Sequence, residues 1–150
     1  MEPDNTSVYV TLGQIYDKLY QDQAATDPVQ AEENFNKAMS YYKQALEKDP
    51  KSFDAVYSIG ALWYNKAASY SVDLNALSND YSSAGTKKYE AIKSKMDETF
   101  AKALPFFLQA EQLNGKDVNT LVALKEIYAR QDKLDIVEQY KQKLDNINKQ

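Results

Sequence analysis

Between residues 53 and 77 the apolar positions fall at Val56, Gly60, Trp63, Ala67, Tyr70, Leu74 and Leu77, in steps of 4, 3, 4, 3, 4 and 3. A second series runs through Tyr89, Ile92, Met96, Phe100, Ala103 and Phe107, in steps of 3, 4, 4, 3 and 4. Steps of three and four keep one helix face apolar, as in helices that pair along a seam. The two series predict elongated helices, roughly 53–77 and 86–114, packed antiparallel. At 1.5 Å per residue the first would be about 37 Å long. Ser78 to Gly85, rich in Ser, Asn, Asp and Gly, reads as the tip that joins them. Pro105 lies inside the second series and predicts a bend that lets the long helix leave the stack as an arm.

The chain also repeats itself. Tyr42 to Pro50 aligns with Phe107 to Gly115: an aromatic, Ala three residues later, and a turn residue five further on. Phe53, Val56, Ile59-Gly60 and Trp63 follow the first segment, and Val118, Leu121, Leu124 and Tyr128 follow the second. Tyr9, Leu12-Gly13 and Tyr16 repeat the pattern near residue 1.

These residues resemble the tetratricopeptide-repeat (TPR) signature, W-x2-L-G-x2-Y, then A-x3-F, then P. The resemblance implies an all-α, right-handed solenoid of three helical hairpins and about six helices, with the middle hairpin elongated and projecting. One domain would span 1–150, with repeats at about 6–50, 53–115 and 118–149. Repeat one carries Tyr9, Leu12, Gly13 and Tyr16, then Ala38, Tyr42, Ala45 and Pro50. Repeat two carries Val56, Ile59, Gly60 and Trp63, then Ala103, Phe107, Ala110 and Gly115. Repeat three has Leu121, Leu124 and Tyr128, then Val137 and Leu144. It departs by placing Lys125 at the small position and Lys141 at the aromatic one, with Tyr140 as the substitute. Small residues let helices approach, and the aromatics fill the space between them. Trp63 is expected in the core. Pro3-Asp4-Asn5 matches the turn at Pro50-Lys51-Ser52, so further repeats are expected upstream.

In the standard repeat the last helix-A aromatic and the first helix-B Ala are nine positions apart. Here Tyr16 to Ala38 is 22 and Trp63 to Ala103 is 40, while Tyr128 to Val137 is 9. Repeats one and two therefore carry insertions at the turn. The first, Gln21 to Asp27, reads as a polar loop with Pro28 near the start of the next helix. The long middle hairpin, the step Leu104-Pro105-Phe106 and the closing Leu124-to-Tyr128 segment resemble TPR proteins of the Bacteroidetes cell envelope. That likeness implies an exported location. Met1-Glu2-Pro3-Asp4 has no basic segment followed by an apolar one and does not read as a signal peptide.

Composition narrows the function. Only four Gly and four Pro among 150 residues fit an all-helical chain. A net charge of −4 without a basic block argues against nucleic acid and anionic membranes as partners. No apolar run reaches membrane-spanning length, so no membrane insertion is expected. With no Cys and no His, disulfides, thiolate nucleophiles, imidazole bases and the usual zinc ligands are absent. No phosphate loop, His-Glu-x-x-His or serine elbow occurs. Asp73-x-Asn75 opens like a calcium loop but lacks its glycine and closing glutamate. Glu32-Glu33 and Asp132/Asp135 read as solvated helix faces. No enzyme activity, metal or cofactor is expected.

The resemblance places function in a groove lined by the first helix of each repeat. Its groove positions are Ser7, Val10, Gln14, Asp17 and Lys18; Asp54, Tyr57, Ala61, Tyr64 and Asn65; and Asn119, Val122, Glu126, Ala129 and Arg130. From these, Gln14, Tyr57, Tyr64, Asn65, Val122, Glu126 and Arg130 are the expected partner-binding set. Tyr57 and Tyr64 are candidate anchors, since tyrosine joins a large contact area to a hydroxyl. Gln14, Asn65 and Arg130 could bond an extended backbone or a carboxylate. The alternative is that the tyrosines only pack against the neighbouring repeat. The cationic ring with which TPR co-chaperones hold a C-terminal carboxylate is missing, its places filled by Val10, Gln14, Ser58, Asn119 and Ala123. A protein or peptide partner is expected. A homo-oligomer formed through the long hairpin, with Leu77 and Tyr81 near its tip, is the rival reading. Capture of a small ligand or glycan by some of the 12 Tyr ranks below both.

Overall fold

The protein is described from a computed structural model covering residues 5–150. Residues 3 and 4 of the expected first turn lie outside the described residues. Among the described residues all regular structure is helical, in six elements: α1 (Thr6–Gln23), α2 (Pro28–Lys48), α3 (Phe53–Leu77), α4 (Ser83–Leu113), α5 (Val118–Arg130) and α6 (Leu134–Asn148). None of these helices is long and apolar enough to cross a membrane.

Side-chain oxygens decide where the helices start. Asn5, Asp27, Ser52, Ser82 and Asp117 each accept a bond from a first-turn backbone N–H of α1 to α5. Such caps satisfy amide groups that have no carbonyl within the helix. Pro28 follows its cap at the start of α2, where its missing N–H costs nothing. At the tight turn before α6, Asp132 adopts a φ of 56°, which a short polar side chain tolerates.

Two expected loops are shorter than the sequence suggests. The polar stretch 21–27 is half helix: α1 continues to Gln23, whose carboxamide oxygen accepts from Asn34 at 2.6 Å. The tip is also shorter than 78–85. Asp80 bonds Ser82, Ser82 caps the N–H of Gly85, and α4 begins at Ser83 with Gly85 in its first turn. Pro105 does not interrupt α4, which runs through it for 31 residues. The proline ring faces solvent, where the carbonyl it leaves free can bond water.

Sequential helices pair antiparallel. Gly13 and Tyr20 of α1 meet Tyr42 and Phe35 of α2. Gly60 and Tyr70 of α3 meet Phe107 and Lys95 of α4. Tyr128 of α5 stacks on Tyr140 of α6, with ring centroids 5.9 Å apart. Contacts of α2 with α3, α4 with α5, and α1 with α3 join the pairs. Tyr140 is buried and donates its hydroxyl to Glu111, whereas Lys141 is exposed and pairs with Glu138.

The core has two main parts. Tyr20, Ala31, Phe35, Ala38, Met39 and Tyr42 close on Ile59 and Leu62. A larger part runs from Ala67 and Leu74 through Met96, Phe100 and Phe107 to Leu121, Leu124, Ile127 and Tyr140. Trp63 touches both. It is only partly buried, its ring edge-on to Phe35 and under Lys102.

Candidate functional site

Six of the seven expected binding residues lie on α3 and α5, and four of them, Tyr57, Tyr64, Glu126 and Arg130, are joined in one structure. Phe53 and Tyr57 are one helical turn apart and stack at 5.8 Å. Tyr57 meets Phe107 edge-on at 5.7 Å. Tyr64, seven residues on, contacts the same Phe107 at 6.3 Å and Phe100 at 5.0 Å. The guanidinium of Arg130 lies 4.2 Å above the Phe100 ring. The result is a continuous row of five rings, contributed by α3 and α4 and closed at one end by a cation from α5. Edge-to-face and cation–π contacts each add a modest attraction to the burial of such rings.

The Tyr64 hydroxyl donates to a carboxylate oxygen of Glu126, linking α3 to α5 across 62 positions of chain. Burial, then the bond to Glu126 and the charge of Glu126, push the Tyr64 phenol from 10.0 up to about 12; Arg130 opposes this. Tyr57 is pushed up by burial first and by the charge of Asp117 second. Both phenols therefore stay neutral at ordinary pH, and that of Tyr64 serves as a hydrogen-bond donor. Glu126 and Arg130 are both exposed residues. The tyrosines thus do pack on their neighbours, while the charged pair beside them remains accessible.

The other expected residues are not part of this row. Val122 is half-buried on α5, one turn before Glu126. Asn65 is half-buried on α3, and Gln14 is exposed on α1. No hydrogen bond or ring contact joins Gln14 or Asn65 to the row of rings.

A second cluster was not foreseen. Lys66 bonds both carboxylate oxygens of Glu32, at 3.0 and 2.8 Å, and lies 4.1 Å from the Phe35 ring centroid. It borders an open cleft of about 510 Å³ where α3 passes the turn between α1 and α2. Tyr20, Ala24, Pro28, Ala31 and Tyr70 supply its apolar walls, and Glu32, Ser69 and Asp73 its polar ones. The available signal was the position of Lys66, one turn after Trp63 on a face otherwise apolar. Among the described residues no group of three or more acidic side chains gathers as a metal site.

Compared with models of known protein families and with curated proteins, the chain matches none.

Proposed function

We propose that the chain is a non-catalytic protein–protein interaction scaffold of the TPR type. In this reading α1–α2, α3–α4 and α5–α6 are three repeats of a right-handed solenoid, and the middle hairpin projects from it. A peptide or protein partner lies across α1, α3 and α5. The observation that carries the reading is the bond from Tyr64 to Glu126 beside Arg130. It sets an acceptor and a cation of α5 beside an aromatic wall built from α3 and α4, and α3 and α5 are helices that the repeat pattern assigns to the groove. A carboxylate and a guanidinium side by side, backed by rings, can hold the backbone and one charged group of an extended peptide. The envelope location implied by the resemblance to Bacteroidetes TPR proteins belongs to the same proposal.

The test separates binding from folding. Glu126→Lys and Arg130→Glu reverse exposed charges and are expected to leave helicity intact. Each should abolish recovery of the partner from an extract of the source cell by the immobilised chain. Tyr57→Ala with Tyr64→Ala should do the same with some loss of stability. Full recovery by both charge reversals would remove the groove from consideration.

A second reading, self-association or spacing through the long hairpin, has one observation in its favour. Tyr81 at the tip is 87% exposed, a large area to leave in water. Light scattering on Tyr81→Lys tests it: an oligomer that dissociates on this change would support the hairpin as the contact.

A further inference from the structure

Asn114 and Gly115 lie in the turn between α4 and α5, and no other asparagine of the chain is followed by glycine. The carboxamide of an asparagine can be attacked by the backbone nitrogen of the next residue, and glycine puts no side chain in the way. Asn5, Asn79 and Asn114 are the described asparagines outside the helices. Within a helix the next amide is held by its own hydrogen bond. After Asn79 the amide of Asp80 donates to the Leu77 carbonyl at 3.0 Å, so its nitrogen is also engaged. After Asn5 comes the branched side chain of Thr6. After Asn114 neither obstacle exists. Among the described residues no group of the chain accepts from the Gly115 N–H, and residues 114–116 are all exposed. The Asn114 side-chain carbonyl accepts from the Lys116 N–H at 3.1 Å, which folds the carboxamide back along the turn and polarises its carbon. Attack requires the peptide plane between 114 and 115 to swing towards that carbon. Little on the main chain opposes the swing, since the Asn114 carbonyl accepts only a long bond, 3.3 Å, from the Asp117 N–H.

We infer that Asn114 is a modification site, converted by spontaneous deamidation with water as the only co-reactant. The Gly115 nitrogen gives its proton to solvent and bonds to Cγ of Asn114; the carboxamide nitrogen takes up a proton and leaves as ammonia, closing a cyclic imide. Water then opens the ring. Opening at the side-chain carbonyl yields aspartate, and opening at the main-chain carbonyl yields isoaspartate, with the chain continuing through Cγ. Both products weaken the joint between the second and third hairpins. Each places a new negative charge at the C-terminal end of α4, where the helix dipole is already negative, and three residues from the Asp117 carboxylate. Isoaspartate also adds a main-chain carbon to the short turn that sets Asp117 as the cap of α5. The inference is independent of the groove reading.

Peptide mapping by mass spectrometry, after incubating the folded chain in mildly alkaline buffer, tests it. Conversion of amide to acid is expected at Asn114 well ahead of Asn79 and Asn5, and the aged chain should unfold at a lower urea midpoint. Gly115→Ala is the control. Gly115 does not have a positive φ, and an added Cβ would meet only the Glu111 carbonyl at an ordinary 3.5 Å, so the variant should keep the parent's urea midpoint. Its conversion at Asn114 should fall to the level of Asn79, and ageing should leave its midpoint unchanged. Conversion at Asn114 no faster than at Asn79 in the folded chain would overturn the inference. So would a Gly115→Ala variant that converts at the parent rate.

Discussion

The ring of Tyr42 lies directly on the backbone of Gly13. A Cβ at residue 13 would sit 2.3 Å from Cε1 of that ring, well inside contact distance. The ring is fully buried, and its hydroxyl reaches the Asp17 carboxylate at 3.4 Å, so it has no free direction in which to swing. Gly60 faces Phe107 in the matching place, but its nearest ring atoms would be 3.2 Å from the added carbon. Gly13→Ala should therefore destabilise the chain by about 1–2 kcal/mol: overpacking costs about 1–3 kcal/mol and the better helix propensity of Ala returns part of it. Gly60→Ala should lie within about 0.5 kcal/mol of the parent, because a shift of a few tenths of an ångström suffices there. Urea unfolding of the two variants checks the ranking, and equal losses would show that the Tyr42 contact is not the tight one.

That contrast shows what the sequence made legible. The repeated signature, by its resemblance to the TPR pattern, set small residues such as Gly13 and Gly60 against large ones such as Tyr42 and Phe107, and the long seams set α3 to its residue limits. Periodicity reports faces well, because burial depends on which side of a helix a residue occupies. It reports ends poorly. Gln21, Asp22 and Gln23 are polar and so read as a loop, yet Gln21 and Asp22 face solvent and Gln23 is held by Asn34 of α2, and such residues extend a helix as readily as they end it. At the tip, Ser82 and Asp80 moved the start of α4 forward through hydrogen bonds that no hydrophobic pattern records. Within the candidate site, the resemblance to the repeat family put Glu126 and Arg130 of α5 in one groove-facing set with Tyr64 of α3. Their meeting with Tyr64 and with Phe100 depends on how α5 packs on α3 and α4, and so was not readable.

The bond from Tyr64 to Glu126 has a pH signature. A phenol whose folded value is raised from 10.0 to about 12 keeps its proton in the folded chain while the unfolded chain loses it. Protons bound then favour the folded state between those values, so stability is whole below pH 10.0 and falls as pH rises towards about 12. Tyr20, Tyr42, Tyr57 and Tyr140 are shifted in the same direction, chiefly by burial, and steepen the loss. Glu126→Gln removes a charge and the carboxylate that hold the Tyr64 proton. One tyrosine should then ionise at lower pH in a near-ultraviolet titration, leaving burial as the remaining cause of its shift. An unchanged titration curve would mean that the hydroxyl does not rest on Glu126 in solution.

At the start of α5 one carboxylate serves two donors. Asp117 accepts from the backbone N–H of Thr120 at 2.8 Å and from its hydroxyl at 2.7 Å, and Thr120 has no exposed surface. Asp117→Ala removes a helix cap, worth about 1 kcal/mol, and also leaves a buried hydroxyl without its partner, which costs about 1–3 kcal/mol. A loss of about 2 kcal/mol or more is expected. Asn5→Ala removes the cap of α1, where the capped residue, Ser7, is exposed, and should cost about 1 kcal/mol or less. Thermal and urea unfolding of the pair would show the difference. A double variant, Asp117→Ala with Thr120→Val, should recover part of the larger loss, since no donor is then left unpaired.

Pro105 is a helix-interior residue whose chemistry opposes its setting. It cannot donate to the carbonyl of Ala101 and its ring crowds that turn, yet α4 continues on both sides with Ala103 and Phe107 buried. The ring is exposed, so replacing it removes no core contact. Pro105→Ala restores a helix hydrogen bond and a favourable propensity, together worth up to about 3 kcal/mol. Against this, the unfolded chain gains freedom worth about 0.4–1 kcal/mol when proline is lost. The balance predicts a variant more stable by about 1–2 kcal/mol, read as a higher urea midpoint with unchanged slope. A lower midpoint would carry the opposite lesson: the proline would be setting a local helix geometry that the neighbouring buried Phe107 needs in order to pack on Gly60 and Tyr64, and its cost to the helix would be offset in the core.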